Sequence, residues 1–257
     1  PARDAMKVQA RNADAVARIV AATAPDLLVN AAAWTAVDKA EAEEDAARLI
    51  NATAVGHLAT AAARAGARFV QISTDYVFDG RGHTPYAPTT PPAPASAYGR
   101  TKLAGERAAQ AHHPAALIIR TAWVYAAQGN NFVRTMLRLM AERDEVRVVA
   151  DQIGTPTHAA SLARAIWALD GQAGLFHWTD AGVASWYDFA VAIQDEALRL
   201  GLLTRQVPII PIATADYPTP AQRPAYSVLD KSGSFAITGP ARHWRAELID
   251  CLKDMLA

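Results

Sequence analysis

The chain has 257 residues, of which 51% are hydrophobic and 19% are charged, and its 25 basic and 25 acidic side chains cancel. This balance excludes the basic surface expected of a nucleic-acid binder and removes support for an affinity to anionic membranes. No apolar run approaches the roughly 20 residues of a membrane span, the N-terminus lacks the plan of a signal peptide, and the single cysteine, Cys251, cannot form an internal disulfide. We therefore expect a cytoplasmic protein whose partners include neither nucleic acid nor membrane.

Helical patterns and short apolar runs alternate along the first part of the chain. Residues 12–24 carry a capping asparagine and apolar residues at helical spacing. The run 27–33, LLVNAAA, is typical of a strand buried on both faces of a parallel sheet. A long helical stretch over 37–65 and a strand over 68–73 follow. The alternation predicts an α/β fold with a doubly wound, mostly parallel, Rossmann-like sheet.

The pattern continues after a proline-rich loop and loosens in the last third of the chain. Helices are predicted at 96–111, 131–143, 159–169, 185–200 and 240–256, and strands at 116–125, 146–150 and 175–178. We divide the chain into a dinucleotide-binding domain, residues 1–150, and a mainly substrate-binding lobe, residues 151–257, which can return segments to the main domain.

Polar residues follow three of the predicted strands. They are Trp34-Thr35, the run 73–76 and the run 123–125. Each cluster alone could cap a turn or pack in the core. Because ligands bind outside the carboxyl ends of the strands in an open α/β sheet, their shared position on one rim predicts a functional site.

The stretch SAYGRTK, residues 96–102, places Tyr98 four residues before Lys102 at the start of a predicted helix. Residues four apart lie on one helix face, so a phenol and an ammonium group can share one small site. The spacing by itself is weak evidence, because it also fits two polar side chains on a solvated helix face. The surrounding motifs have to distinguish a catalytic pair from such a surface.

Several further stretches carry a resemblance that runs through nearly the whole chain. They are VNAAAWTAVDKAE (29–41), STDYVFDG (73–80), YGRTKLAGE (98–106), RTAWVYA (120–126), GNNFVRTML (129–137), DQIGTPT (151–157) and YPTPAQRP (217–224). In this order and spacing they resemble the motifs of the dTDP-4-dehydrorhamnose reductases, which belong to the extended short-chain dehydrogenase/reductase superfamily.

The resemblance implies reduction of the 4-keto group of dTDP-4-dehydro-β-L-rhamnose to dTDP-L-rhamnose, with NADPH or NADH as cofactor, in dTDP-rhamnose biosynthesis. It makes Tyr98 the general acid and Thr74 the hydroxyl that orients the carbonyl. Lys102 would lower the pKa of the tyrosine and hold the nicotinamide ribose. The cofactor contacts implied are Ala33, Trp34, Thr35, Ile72, Tyr98 and Lys102, and the substrate contacts are Thr74, Asp75, Trp123 and Arg223. A surface salt bridge is the alternative for Arg223.

Enzymes of this kind bind the cofactor pyrophosphate at a glycine-rich turn near the N-terminus. None of the first 55 residues is glycine. We expect about 30 residues, including the first strand and helix of the sheet, to precede Pro1 in the natural protein, and we expect the chain as written to bind the cofactor poorly. The choice between NADH and NADPH falls in that segment, with Arg3 as a hint toward a 2′-phosphate.

Two other functions and several partners stay open at this stage. A non-catalytic, cofactor-binding regulatory subunit resembling the β subunit of methionine adenosyltransferase would share the fold and several motifs. An epimerase or dehydratase acting on another nucleotide sugar would keep the same acid and lysine. Some relatives bind Mg²⁺ at a dimer interface, but the seven histidines and the acidic residues show no metal site here. We expect a monomer or a homodimer.

Overall fold

The computed structural model describes residue 10 and residues 12–256. The helices are α1 (Ala13–Thr23), α2 (Val37–Ala42), α3 (Glu44–Arg48), α4 (Ala54–Ala65), α5 (Ala97–His112), α6 (Phe132–Glu142), α7 (Ala159–Ala168), α8 (Trp186–Arg199), α9 (Ser232–Thr238) and α10 (Trp244–Asp254). The strands are β1 (Leu27–Asn30), β2 (Arg68–Thr74), β3 (Leu117–Thr121), β4 (Val124–Tyr125), β5 (Val146–Val149), β6 (Ile153–Gly154), β7 (Thr157–His158), β8 (Gly174–His177), β9 (Ala184–Ser185) and β10 (Ile209–Ile212). Within these described residues, no helix has the length and apolarity to cross a membrane.

The main sheet is parallel and carries helices on both faces. Its strand order is β1–β2–β3–β8, and each neighbouring pair runs in the same direction. Side chains alternate along the strands, so Phe69 and Ile118 are buried with α4 and α5 while Val70 and Leu117 are buried with α7. This arrangement confirms the predicted α/β fold with a doubly wound, parallel sheet.

A second core lies among the elements that surround the short strands. β5 pairs with β10, β4 with β7 and β6 with β9. Helices α6, α8 and α10 close over this region, with fully buried side chains that include Met140, Phe189 and Leu248.

β8, from the second part of the chain, joins the main sheet, while β5, from the first part, pairs with β10. The division at residue 150 stays a prediction.

The helical stretch predicted over residues 37–65 is interrupted, so the prediction of one long helix was wrong. α2 ends at Ala42, Glu43 leaves the helical conformation, and a π-helical turn over Leu49–Thr53 separates α3 from α4. The turn places the buried side chain of Asn51 toward α5, where its Nδ2 atom donates to the hydroxyl of Thr101 at 3.1 Å. A polar contact with another helix therefore explains the irregular backbone.

The first predicted strand is shorter and more exposed than expected. β1 ends at Asn30, whose side chain accepts a hydrogen bond from the amide of Ala32 and donates another to Gln71 at 2.7 Å. Val29 is 39% exposed, since β1 is the edge strand of the sheet in the described residues. The expectation of burial on both faces was wrong for this strand.

α5 and the π-helical turn pack so closely at Gly105 that one added methyl group should lower the stability of the fold. A Cβ on Gly105 would lie 2.0 Å from the carbonyl oxygen of Asn51. We expect Gly105→Ala to lower the free energy of unfolding by about 1–3 kcal/mol, because the two backbones must separate. Gly233→Ala is the matched control, since no atom lies within 4 Å of its added Cβ. Urea denaturation measures both variants, and an equal effect of the two would contradict the close packing.

Candidate active site

The first turn of α5 is fixed by its cap and by contact with the loop that follows β2. The Ser96 hydroxyl accepts from the amide of Gly99 at 3.1 Å, and the amide of Ala97 donates to Glu41 at 2.8 Å. A Cβ on Gly99 would lie 2.1 Å from the carbonyl oxygen of Tyr76, so glycine permits this contact. The packing places Tyr98 edge-on against Tyr76, with ring centroids 5.4 Å apart.

Tyr98 lies beside two buried polar residues at the end of β2. The Thr74 hydroxyl donates to Asp75 Oδ1 at 2.9 Å and accepts from the amide of Tyr76 at 3.2 Å. Burial raises the pKa of Tyr98 to about 12, hydrogen bonding with Thr74 opposes this rise, and the Asp75 carboxylate adds to it. The phenol is therefore protonated at neutral pH, as a proton donor must be.

Lys102 lies one turn further along the same face of α5 and is 4% exposed. Its ammonium group donates to the carbonyl oxygen of Ile72 at 2.6 Å. Burial lowers the pKa of Lys102 to about 8, and Glu106 opposes this change. The ammonium group is directed at Ile72, and the influences on the pKa of Tyr98 are burial, Thr74 and Asp75. The effect of Lys102 on the tyrosine stays a prediction.

The predicted cofactor segment, residues 33–35, is joined to α5 through Asn51. The amide of Trp34 donates to Asn51 Oδ1 at 2.8 Å, and Asn51 Nδ2 donates to the carbonyl oxygen of Trp34 at 3.2 Å. Trp34 and Tyr98 also pack against one small apolar cluster, Ala40, Ala47 and Ala97. Ala33 and Thr35 flank the tryptophan, so the structure brings this segment to the side of α5. Sequence analysis missed Asn51, although a polar residue inside an apolar helical run was a usable signal.

Trp123 is held between an aromatic ring and a glycine. Its backbone is left-handed, with φ 49°, and its indole stacks on that of Trp186 with ring centroids 3.5 Å apart and an interplanar angle of 6°. On the other side, a Cβ on Gly154 would lie 2.6 Å from the Trp123 ring and 2.8 Å from the hydroxyl of Ser227. Ser227 is also one of the polar groups that oppose the rise in the pKa of the buried Asp75 carboxyl. Gly154 thus lies against both the Trp123 indole and Ser227, and sequence analysis missed Trp186.

A cavity of about 910 Å³ opens beside Trp186. Its lining combines apolar side chains, including Phe132, Met136, Val148 and Trp186, with polar and charged side chains, including Gln152 and Arg223. A pocket of this size with both kinds of lining can hold a ligand that carries an aromatic ring and a charged part.

Arg223 forms the salt bridge that sequence analysis kept as an alternative to substrate contact. Its two terminal nitrogens bind the two carboxylate oxygens of Asp38 at 2.9 and 2.8 Å. The guanidinium group lowers the pKa of Asp38 through these hydrogen bonds. The pair joins α2 to the YPTPAQRP segment. Arg223 also lines the cavity, and its contact with a substrate diphosphate stays a proposal.

The described residues fit the nicotinamide end of a dinucleotide. Among them, the ammonium group of Lys102 hydrogen-bonds to Ile72 alone, which leaves two of its three donors for ribose hydroxyls. Trp34 packs against the same small apolar cluster as Tyr98. The glycine-rich turn for the pyrophosphate has no counterpart in the first 55 residues. No group of three or more His, Cys, Asp or Glu side chains in the described residues could hold a metal ion.

The buried carboxyl of Asp75 predicts a pH-dependent loss of stability. Asp75 is 2% exposed and burial raises its pKa to about 6, against the opposing hydrogen bonds of Ser227 and Thr74. Because the native state binds this proton more tightly than the unfolded chain, stability falls as the pH rises from about 4 to about 6. Asparagine does not ionise, so the Asp75→Asn variant escapes this loss. We expect the difference in free energy of unfolding, variant minus wild type, to grow by about 2–3 kcal/mol as the pH rises through this window.

Denaturant unfolding at a series of pH values measures this difference. Asp180, whose pKa burial also raises to about 6, is the same in both proteins, so its contribution cancels. Parallel stability curves for variant and wild type would contradict an ionisable, desolvated Asp75.

Comparison with known proteins identifies the family. The profile of the RmlD substrate binding domain matches residues 1–257. The chain is 46% identical over 226 residues to the dTDP-4-dehydrorhamnose reductase of Escherichia coli K12, an alignment that covers 85% of this chain and 76% of that protein.

Solved structures agree with this result. The crystal structure of a dTDP-4-dehydrorhamnose reductase from Clostridium acetobutylicum superimposes with a TM-score of 0.90 at 42% identity, covering 96% of this chain and 87% of that one. The Bacillus anthracis dTDP-4-dehydrorhamnose reductase, solved in complex with NADP, superimposes with a TM-score of 0.89 at 36% identity, covering 95% and 86%. The resemblance found in the sequence motifs is confirmed, and the chain belongs to the RmlD substrate binding domain family, together with these dTDP-4-dehydrorhamnose reductases.

Proposed function

We propose that this protein reduces the 4-keto group of dTDP-4-dehydro-β-L-rhamnose to give dTDP-L-rhamnose, with NADPH or NADH as the reductant. The observation that carries the proposal is the assembly of Thr74, Tyr98 and Lys102 at the carboxyl end of β2, in a chain 46% identical to a reductase of that name. NADP is the ligand of the Bacillus anthracis relative. A cytoplasmic location and a monomeric or homodimeric state belong to the same proposal.

Tyr98 supplies the proton in this reaction. The reduced nicotinamide, when bound, provides the hydride that reduces the keto carbon. As negative charge develops on the substrate oxygen, the Tyr98 phenol donates its proton to that oxygen, since a pKa of about 12 keeps it protonated beforehand. The positive charge of Lys102, on the same helix face, stabilises the phenolate that remains.

Thr74 orients the carbonyl through its hydroxyl group. In the described arrangement this hydroxyl donates its one proton to Asp75 Oδ1. It can donate to a substrate oxygen only when it gives up this hydrogen bond to Asp75. Asp75 Oδ2 is buried without a partner in the described residues, so it can accept from a sugar hydroxyl.

The nucleotide part of the substrate would occupy the cavity beside Trp123 and Trp186. The stacked indoles offer an aromatic surface to a thymine base. The Arg223 guanidinium could exchange the Asp38 carboxylate for the diphosphate, which presents the same pair of oxygens.

The complete set of Thr74, Tyr98 and Lys102 favours catalysis over the non-catalytic regulatory subunit that the sequence left open, since a subunit that only binds a cofactor has no need of an acid. An epimerase or dehydratase would use the same set. The printed names of the relatives favour the reductase.

We expect the full-length protein to oxidise NADPH or NADH only when dTDP-4-dehydrorhamnose is present, because the hydride needs the 4-keto group as its acceptor. The substrate is made in place from dTDP-glucose by the upstream enzymes, and the loss of nicotinamide absorbance is recorded. dTDP-glucose alone, which has no keto group, is the control. Absence of turnover with both cofactors would contradict the proposal.

Tyr98→Phe removes only the hydroxyl that donates the proton. We expect kcat to fall about 10²- to 10⁴-fold, with cofactor affinity within a few fold of wild type. Stopped-flow turnover and nicotinamide fluorescence titration measure the two quantities. Tyr187→Phe, the same change on α8, is the matched control and should keep wild-type turnover. Near-normal turnover of Tyr98→Phe would remove this residue from the acid role.

A further inference from the structure

A buried ion pair lies directly behind Lys102. Glu106, one turn further along α5, is 4% exposed, and Arg120 on β3 is 3% exposed. Arg120 Nε donates to Glu106 Oε1 at 2.9 Å, and Arg120 Nη2 donates to Glu106 Oε2 at 2.8 Å. The Ser73 hydroxyl adds a third hydrogen bond, to Oε1 at 2.5 Å. The carboxylate is therefore held from both β3 and β2.

Two hydrogen bonds attach α5 to the end of β2, and the Glu106 carboxylate accepts one of them. Lys102 binds the carbonyl oxygen of Ile72, and Glu106 binds the hydroxyl of Ser73, the next residue along the strand. Thr74 follows immediately. Residues 102 and 106 are one helical turn apart, so these two contacts fix both the position and the rotation of the helix against the strand. Movement of the Glu106 carboxylate would displace Lys102 and Thr74 together.

Glu106 also affects the charge of Lys102. Burial lowers the pKa of Lys102 to about 8, near the working range, and Glu106 is the group that raises it again. The other ionisable groups around this part of the site are Tyr98 on α5, Asp75 after β2 and Arg120 on β3. Tyr98 is protonated and uncharged, and the charge of Arg120 is paired with Glu106 itself.

We propose that Glu106 is a positioning residue of the reductive site, which holds Lys102 in place against Ile72 through its own attachment to Ser73 and Arg120. The inference rests on the proposed function for the role of Lys102 in turnover. A merely structural ion pair would act on folding alone, and replacement of such a pair by apolar residues is often neutral for stability.

The test uses the full-length protein and three variants. Glu106→Gln removes the charge, the double variant Glu106→Gln/Arg120→Met removes the whole ion pair without leaving an unpaired buried charge, and Ser73→Ala removes only the hydroxyl contact. Asp170→Asn, which breaks the ion pair with Arg68 at the opposite end of β2, is the matched control. Two readouts are taken: the NMR titration of Lys102 in ¹³C-lysine-labelled protein without substrate, assigned with Lys102→Met, and the steady-state kcat and KM.

We expect the Lys102 titration midpoint to fall by about one pH unit or more in both Glu106 variants, and kcat to fall at least about 10-fold with KM within about threefold. Ser73→Ala should lower kcat by about three- to tenfold and leave the midpoint in place. The control should match wild type in both readouts.

A double variant that folds with a wild-type midpoint and wild-type kcat would overturn the inference. If Glu106→Gln fails to fold, the double variant and Ser73→Ala decide the question. If wild-type protein shows no turnover, the proposed function fails, while the Lys102 titration still decides the role of Glu106.

Discussion

The packing of α5 against the end of β2 is the contact on which the rest of the site depends. Gly99 allows it, since a Cβ there would lie 2.1 Å from the carbonyl oxygen of Tyr76 in the turn that follows β2. The hydrogen bond from Lys102 to Ile72 then fixes the helix along the strand. Because Tyr98 and Thr74 belong to these two elements, one packing contact sets the geometry of the proposed proton donor and of its hydroxyl neighbour. Catalytic groups supported by rigid elements keep this geometry without reorganisation.

Most of the main sheet could be predicted from sequence because it depends on short-range patterns, whereas the roles of the site residues follow from the family resemblance and stay predictions. Buried strands read as apolar runs, and a spacing of four places Tyr98 and Lys102 on one helix face. The π-helical turn and its Asn51 contact could not be predicted, since they arise from the partner helix and not from local propensity. Trp186 and the Arg120–Glu106 pair were missed for the same reason, because each acts through a residue distant in sequence.

For Arg223, the sequence indicated the kind of contact but not the partner. The motif around Arg223 indicated a cationic contact, and the structure gives that contact to Asp38. The two outcomes use the same chemistry, a planar guanidinium bound to a pair of oxygens, so the residue type alone could not separate them. The Asp38 pair joins α2 to the segment that lines the 910 Å³ cavity, and a diphosphate would have to compete with it. On the proposed diphosphate contact, substrate binding would compete with the link between α2 and the YPTPAQRP segment.

The most direct measurement of the central claim is the position of the transferred hydrogen in the product. The full-length protein is supplied with nicotinamide cofactor deuterated at the transferring carbon and with dTDP-4-dehydrorhamnose, and the sugar is analysed by NMR. A reductive site built from Thr74, Tyr98 and Lys102 predicts a single deuterium at C4 of the rhamnose and none elsewhere on the ring. Product without deuterium at C4, or exchange of hydrogen at C3 or C5 without net oxidation of the cofactor, would contradict the account.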